Sequence, residues 1–187
     1  MRIVMLVAAL AAAEPAHAAP SASWSVDKST SRLGFTGSMS GQPFDGNFRR
    51  WDARIQFDPK NLAASRVTVA IDTGSATTGD QTRDEALPTA DWFSSAVFPR
   101  ASFESHQFRD LGNGRYLAAG ILSIRNVRRP VALPFELAIK GDKAMMRGSL
   151  TIDRRLFGVG QGQFASGETV ATAVRIDVAL DANRIAH

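Results

Sequence analysis

Val131-Ala-Leu-Pro-Phe-Glu-Leu-Ala-Ile139 decides the fold. Its large apolar residues, Val131, Leu133, Phe135, Leu137 and Ile139, fall at every second position, with smaller or more polar residues between them. A helix would bring its apolar face round every three or four residues. A period of two is that of a strand with one face on a core and the other toward water.

The same alternation extends in both directions. Upstream it runs through Leu33 and Phe35, through Trp51, Ala53, Ile55 and Phe57, through Val67, Val69 and Ile71, and through Leu122 and Ile124. Downstream it covers Leu150 and Ile152, then Val174, Ile176, Val178 and Leu180. The total is about eight strands. Asp58-Pro59, Gly112-Asn113-Gly114 and Gly141-Asp142 separate them with turn chemistry. Long helical periods are absent, so the sheet is expected to be antiparallel and to hide its apolar face by closing on itself or by packing on a second sheet. Eight antiparallel strands that close make a barrel whose interior is either filled by side chains or holds one small ligand. The fold class is therefore all-β, an antiparallel eight-stranded barrel.

One stretch breaks the alternation, running from Thr78-Gly-Asp-Gln-Thr-Arg-Asp-Glu to Phe-Pro-Arg-Ala-Ser-Phe103. Asp80 or Thr82 can cap a short helix, with Glu85 placed for a capping box behind Thr82, and Pro88 stops it. The helix is expected between Asp80 and Leu87. Ala90-Asp91-Trp92-Phe93 follows and sets two large rings in a connection that would ordinarily carry small polar residues. The segment through Phe98 is expected to cover one end of the barrel.

This stretch, with Ile55-Gln-Phe-Asp-Pro59, Leu122-Ser-Ile-Arg-Asn-Val-Arg-Arg-Pro-Val131 and Ile152-Asp-Arg-Arg-Leu-Phe-Gly158, resembles the YceI-like family of periplasmic, lipocalin-like proteins that bind polyisoprenoids. The segments occur in the family's order from about Trp24 to Leu180. Asn126 stands where the family usually has Gly, and Asn tolerates the left-handed backbone that such a turn requires. The resemblance implies a lipocalin-like barrel whose short helical insertion covers one end, with a long-chain isoprenoid, quinone-like or fatty ligand in its lumen for storage or transport. It implies no cofactor beyond such a bound lipid.

Met1-Arg2, the apolar run from Ile3 to Ala13 and Ala16-His17-Ala18 read as a secretory leader with a small-residue cleavage site, too short to span a bilayer. Residues 1–18 are thus expected to be a signal peptide and 19–187 a single barrel domain, located in the periplasm. The chain has no cysteine, which excludes a lipid-attachment thiol, a disulfide framework and a thiolate metal site. Its net charge of +4 is scattered among carboxylates and forms no basic tract, so a nucleic-acid partner is not expected.

Whether the lumen is filled or hollow is open at this level, because the eleven Phe could pack solid. Glycines at 34, 37, 41 and 46, and again at 148, 158, 160 and 162, favour sharp bends or a closely approaching ligand if they lie within strands. An isoprenoid needs a dry tunnel, for which Phe35, Phe48, Phe57, Val69, Trp92, Phe93, Phe98, Phe103, Leu133, Phe135 and Phe157 are the candidate walls; ordinary core is the alternative for each. A pyrophosphate head would call for a cation at the mouth. Arg83 is the first candidate and Arg125, Arg128 and Arg129 follow. Arg83 could instead tie its helix to a strand through Asp84 or Asp91.

No enzymatic arrangement stands out. After the leader, His106 and His187 are the histidines available, too few for a histidine metal cluster or a choice of catalytic base. His106 alternates with Phe103 and Phe108 on an expected strand. Gly158-Val-Gly-Gln-Gly162 lacks the spacing of a nucleotide loop and reads as a strand-edge turn. Phe157-Gly-Val-Gly-Gln-Gly162 looks most like the branch of the family joined to membrane cytochrome b domains. A second reading is therefore a non-catalytic module, monomer or homodimer, that docks on such a redox protein.

Overall fold

The structure, a computed structural model, describes residues 22–186. The expected leader and cleavage point, and His187, lie outside the described residues. The strands are β1 (Ser23–Val26), β2 (Arg32–Met39), β3 (Gln42–Phe48), β4 (Trp51–Gln56), β5 (Arg66–Asp72), β6 (Ala76–Thr77), β7 (Arg100–Gly112), β8 (Arg115–Ile124), β9 (Val127–Lys140), β10 (Lys143–Asp153) and β11 (Ala173–Arg184), and the helix is α1 (Gln81–Ala86).

Eight of these strands close a ring in the order β1-β4-β5-β7-β8-β9-β10-β11, and β11 pairs back onto β1. All pairings are antiparallel. The remaining three continue strands of the ring past short kinks. Along one edge of β11, Trp24 pairs with Arg184 and then Thr36 with Arg175, so β1 and β2 form one bent path. In the same way β3 runs into β4 at residues 49–50, and β5 into β6 at 73–75. The barrel thus has eight strand paths, of which three are bent.

Two-residue hairpins account for four connections. Ser40-Gly41, Asn113-Gly114 and Arg125-Asn126 have φ > 0 at both turn residues, the backbone twist that matches antiparallel strands, and Gly141 opens the fourth at φ 58°. Asn126 adopts φ 60°, so it serves in place of glycine as expected. Gly41 belongs to a turn and not to a strand interior. Gly158, Gly160 and Gly162 also lie outside strands, each at positive φ, in the connection between β10 and β11; the strand-edge reading of that segment does not hold.

α1 begins where the capping chemistry placed it. The Asp80 carboxylate accepts from Arg83 N at 3.0 Å, and Glu85 accepts from the Gln81 side chain at 2.8 Å instead of reaching back in a capping box. β7 hides an irregularity that strict alternation could not show. Ser105 pairs with Gly120 and Gln107 with Ala119, leaving His106 as an extra residue in a bulge. The parity of the strand flips there, and Phe103 and Phe108, five apart, both point inward. His106 therefore does not share their face; it sits exposed beside Arg66.

The two ends differ. At one, which we call the hairpin end, lie the turns at 113–114 and 141–142 and the connection 57–65. At the other, the helical end, residues 78–99 and 154–172 fold over the rim. The apolar residues form one cluster toward each end, the first around Trp24, Phe57, Tyr116 and Phe135, the second around Leu33, Ile71, Leu122 and Phe157.

Candidate functional site

Inward-facing side chains do not fill the barrel. A cavity of about 190 Å³ occupies the half beneath the helical end, and one of about 90 Å³ lies toward the hairpin end. Val67, Phe103, Leu133, Met146 and Leu180 line both, so they form a waist between two chambers.

The hollow follows from where the phenylalanines meet glycine. Phe35 is paired with Gly46 and Phe44 with Gly37 across β2 and β3, and Phe103 reaches diagonally to Gly120 of β8. In each case ring atoms occupy the place where a Cβ on the glycine would sit. The rings lean over the wall instead of standing into the lumen. Gly37 and Gly46 thus make room for aromatic walls, whereas Gly34, which pairs with Asn47, is buried on the outward side of the sheet beneath Arg32.

Of the residues expected from the sequence, Phe35, Phe48, Val69, Trp92, Phe93 and Phe157 line the larger chamber, Phe57 and Phe135 the smaller, and Phe103 and Leu133 the waist. Trp92 and Phe93 come from the covering segment, and Phe93 meets Phe48 edge-on at 5.7 Å. Phe98 and Arg83 lie off the cavity wall. Phe98 accepts a hydrogen bond from Thr73 Oγ1 at its carbonyl and carries the Arg125 guanidinium 5.5 Å above its ring. Arg83 donates to Thr78 Oγ1, approaches Asp80 at 3.7 Å and lies over the Phe44 ring. Its tie is to Asp80, not to Asp84 or Asp91.

Asp84 has its own task. It accepts from the Thr77 hydroxyl and from both the N–H and the hydroxyl of Thr78, fastening α1 to the end of β6. Desolvation pushes its pKa up, but these bonds and the Gly79 N–H outweigh it and hold the carboxyl at about 2.

Sequence reasoning missed Arg154. It is 2% exposed, and all five of its N–H donors are engaged by carbonyls. Nε donates to Ala171 O, one terminal nitrogen to Val159 O and Gly160 O, and the other to Phe164 O and Val170 O. Burial lowers its pKa from the usual arginine value, yet a guanidinium stays charged in a protein. The Trp92 ring lies 5.5 Å from its centre and meets Phe164 in turn at 5.0 Å, the two rings tilted by 45°. Gly160 is required because a Cβ there would collide with the guanidinium. Arg154 therefore holds the loop 158–172 closed over the chamber and has no donor left for a ligand. The signal in the sequence was an arginine followed within a few residues by three glycines, of which Gly160 both lends a carbonyl and leaves room for the guanidinium.

The remaining arginines considered for a head group stand at the helical end. Arg125 donates to Ala90 O and Trp92 O, linking the β8–β9 turn to the cover, and Arg129 donates to Leu156 O at 3.4 Å. The chamber itself is apolar throughout apart from Arg154. It can hold a slender hydrocarbon and offers nothing to a polar head.

A family model described as the YceI-like domain matches residues 24–182. Among curated relatives, a UPF0312 protein of Vibrio cholerae is 28% identical over 120 residues, 61% of this chain and 64% of the relative. A UPF0312 protein of Yersinia pestis is 37% identical over 97 residues, 52% of this chain and 50% of the relative. The matched stretches thus span about half to two thirds of these relatives' length. Among solved structures, Burkholderia cenocepacia BcnA superposes with a TM-score of 0.81 at 29% identity, covering 84% of this chain and 99% of that one. A domain from Saccharophagus degradans described as polyisoprenoid-binding shares the fold at a TM-score of 0.69 and 17% identity, covering 87% of this chain and 98% of that one.

Proposed function

The chain belongs to the YceI-like domain family, and from that premise we propose that it is a periplasmic carrier which holds the hydrocarbon chain of an isoprenoid or similar amphiphile inside the barrel. The observation that carries this reading is the hollow, apolar lumen behind aromatic walls that glycines keep flat. A cavity needs roughly 10–15 Å³ to seat one water-sized group, so the larger chamber takes on the order of a dozen methyl-sized groups and the smaller about half as many. That is three to four isoprene units at about five carbons each. At ~0.8 kcal/mol per buried methylene, a dozen groups give about 10 kcal/mol before the costs of association and ordering are subtracted.

The Saccharophagus degradans domain of the same fold is described as binding a polyisoprenoid, which names the ligand class to test first. A polyprenyl phosphate, a quinone and a fatty chain all present the same slender tail, and the lumen selects for the tail. The docking reading rested on Phe157-Gly-Val-Gly-Gln-Gly162, of which Gly160 is accounted for by Arg154: its carbonyl accepts from the guanidinium, and a Cβ there would collide with it. The periplasmic part of the proposal rests on the leader expected at residues 1–18.

Organic extraction of protein purified from the exported fraction, followed by mass spectrometry, tests the proposal. A co-purifying long-chain lipid in near-stoichiometric amount is the expected result. Protein that emerges empty and takes up no added polyprenol or quinone would overturn it.

A further inference from the structure

β9 and β10 part halfway along the barrel. Their ladder runs from Lys143↔Lys140 to Gly148↔Phe135 and stops there. β9 nevertheless stays paired with β8 back to Val127, and β10 stays paired with β11 as far as Asp153. Residues 127–134 and 149–153 thus face each other, in the described structure, as two unpaired edges beside the larger chamber.

The sequence maintains this seam. Leu137 N donates to Gly114 O at the β7–β8 turn, so odd-numbered residues of β9 address β8 and even-numbered ones address β10. Pro130 and Pro134 are both even-numbered, and each lacks the N–H that a ladder toward β10 would use. By the same alternation, the backbone groups of Ser149, Thr151 and Asp153 point into the seam, where the β9 ladder does not reach them. On the inner side Val131 and Leu133 face Leu150 and Ile152, and all four line the larger chamber. At the outer end Arg128 and Arg129 follow Val127 at the start of β9, and Leu156, whose carbonyl accepts from Arg129, is 52% exposed.

We propose that the seam between β9 and β10 is a lateral port through which an apolar chain enters and leaves the larger chamber, its polar head remaining outside by Arg128 and Arg129. This rests on the carrier reading above. Passage through the helical end would break the carbonyl bonds of Arg154 and lift the Trp92 cover. Passage between two edges that share no ladder hydrogen bonds displaces side-chain contacts and, at the outer end, the 3.4 Å bond from Arg129 to Leu156 O.

The cysteine-free chain allows a direct test. Continuing the register from Gly148↔Phe135 sets Thr151 opposite Ala132, and an Ala132→Cys/Thr151→Cys variant bridged by a short bis-maleimide staples the seam. A Thr73→Cys/Ser95→Cys variant, built where the two hydroxyls lie 3.1 Å apart, staples the cover instead when oxidised. Uptake of a fluorescent farnesol from phosphatidylcholine vesicles is followed in each, before and after bridging. The seam staple is expected to slow uptake on the order of tenfold or more, while the cover staple changes the rate by less than about twofold. A Pro130→Val/Pro134→Val variant, which restores both N–H groups without touching the lumen, is expected to slow uptake in the same direction. Binding whose rate ignores the seam staple and the proline replacements, or is slowed by the cover staple instead, overturns the port alone. Failure of the unbridged protein to bind at all overturns the carrier reading and the port with it.

Discussion

Phe35 occupies the space that a side chain on Gly46 would need. The pair is a single unit of wall: the ring supplies the apolar surface and the glycine supplies the room for it. Replacing Gly46 by Val forces the ring off the wall and into the larger chamber. We expect a stability loss of about 1–3 kcal/mol from overpacking together with reduced retention of the hydrocarbon ligand. The Gly46→Val/Phe35→Ala double variant should recover part of both, since the two substitutions act on one contact. Denaturant unfolding and lipid extraction on these two variants and on Phe35→Ala alone measure it; strictly additive effects would show that the ring and the glycine are independent.

Arg154 should resist conservative replacement. Lysine carries the charge but cannot present five donors in a plane. Arg154→Lys is therefore expected to leave several carbonyls of the 158–172 loop unpaired and to cost about 3 kcal/mol or more. Chemical denaturation gives the magnitude, and hydrogen exchange should show loss of protection concentrated in that loop and at Trp92. A lysine variant of unchanged stability would mean that water satisfies those carbonyls.

The fastening of α1 depends on pH. Asp84 titrates at about 2 in the folded chain against an ordinary 3.8, so the folded state favours its ionised form. That contribution is fully present above about pH 4 and is lost as the pH falls through about 2. Because the group is partly exposed, it is worth on the order of 1 kcal/mol. Thermal unfolding of Asp84→Asn should match that of a wild-type reference near pH 2 and fall below it near pH 6. A difference that does not change across this range would contradict the assignment.

Asn126 and Arg125 make the β8–β9 turn, both at positive φ. Asn126→Gly should be neutral or slightly stabilising, and Asn126→Ala should cost about 1 kcal/mol, the penalty of a Cβ in a left-handed backbone. Arg125→Gly relieves the same strain but removes the bonds to Ala90 O and Trp92 O. Its effect should therefore appear as a looser cover, read as faster quenching of Trp92 fluorescence by acrylamide, more than as a lower melting temperature.

Much of the fold could be read from the sequence because it is encoded locally. The period of two at Val131, Leu133, Phe135, Leu137 and Ile139 required a strand, and Asn113-Gly114 and Gly141-Asp142 required tight hairpins. Asp80 and Pro88 framed a short helix. The unreadable features depend on what lies across the sheet. That Phe35 meets Gly46 is a matter of register, and without it eleven phenylalanines are equally compatible with a solid core. The bulge at His106 moves Phe108 to the inner face and cannot be seen in a strand taken alone. Arg154, between Asp153 and Arg155, looks like one more surface charge until the carbonyls of a loop more than ten residues long converge on it.

The waist of Val67, Phe103, Leu133, Met146 and Leu180 makes the interior a stepped gauge of chain length. A tail that ends above it gains nothing from Trp24, Phe57 or Phe108 below. One that is slightly longer must push aside Met146, the most pliable member of the ring, before it meets the next apolar wall. Insertion energy therefore climbs, stalls and climbs again with each added carbon, so ligands of adjacent length are sorted most sharply at the constriction and hardly at all on either side of it.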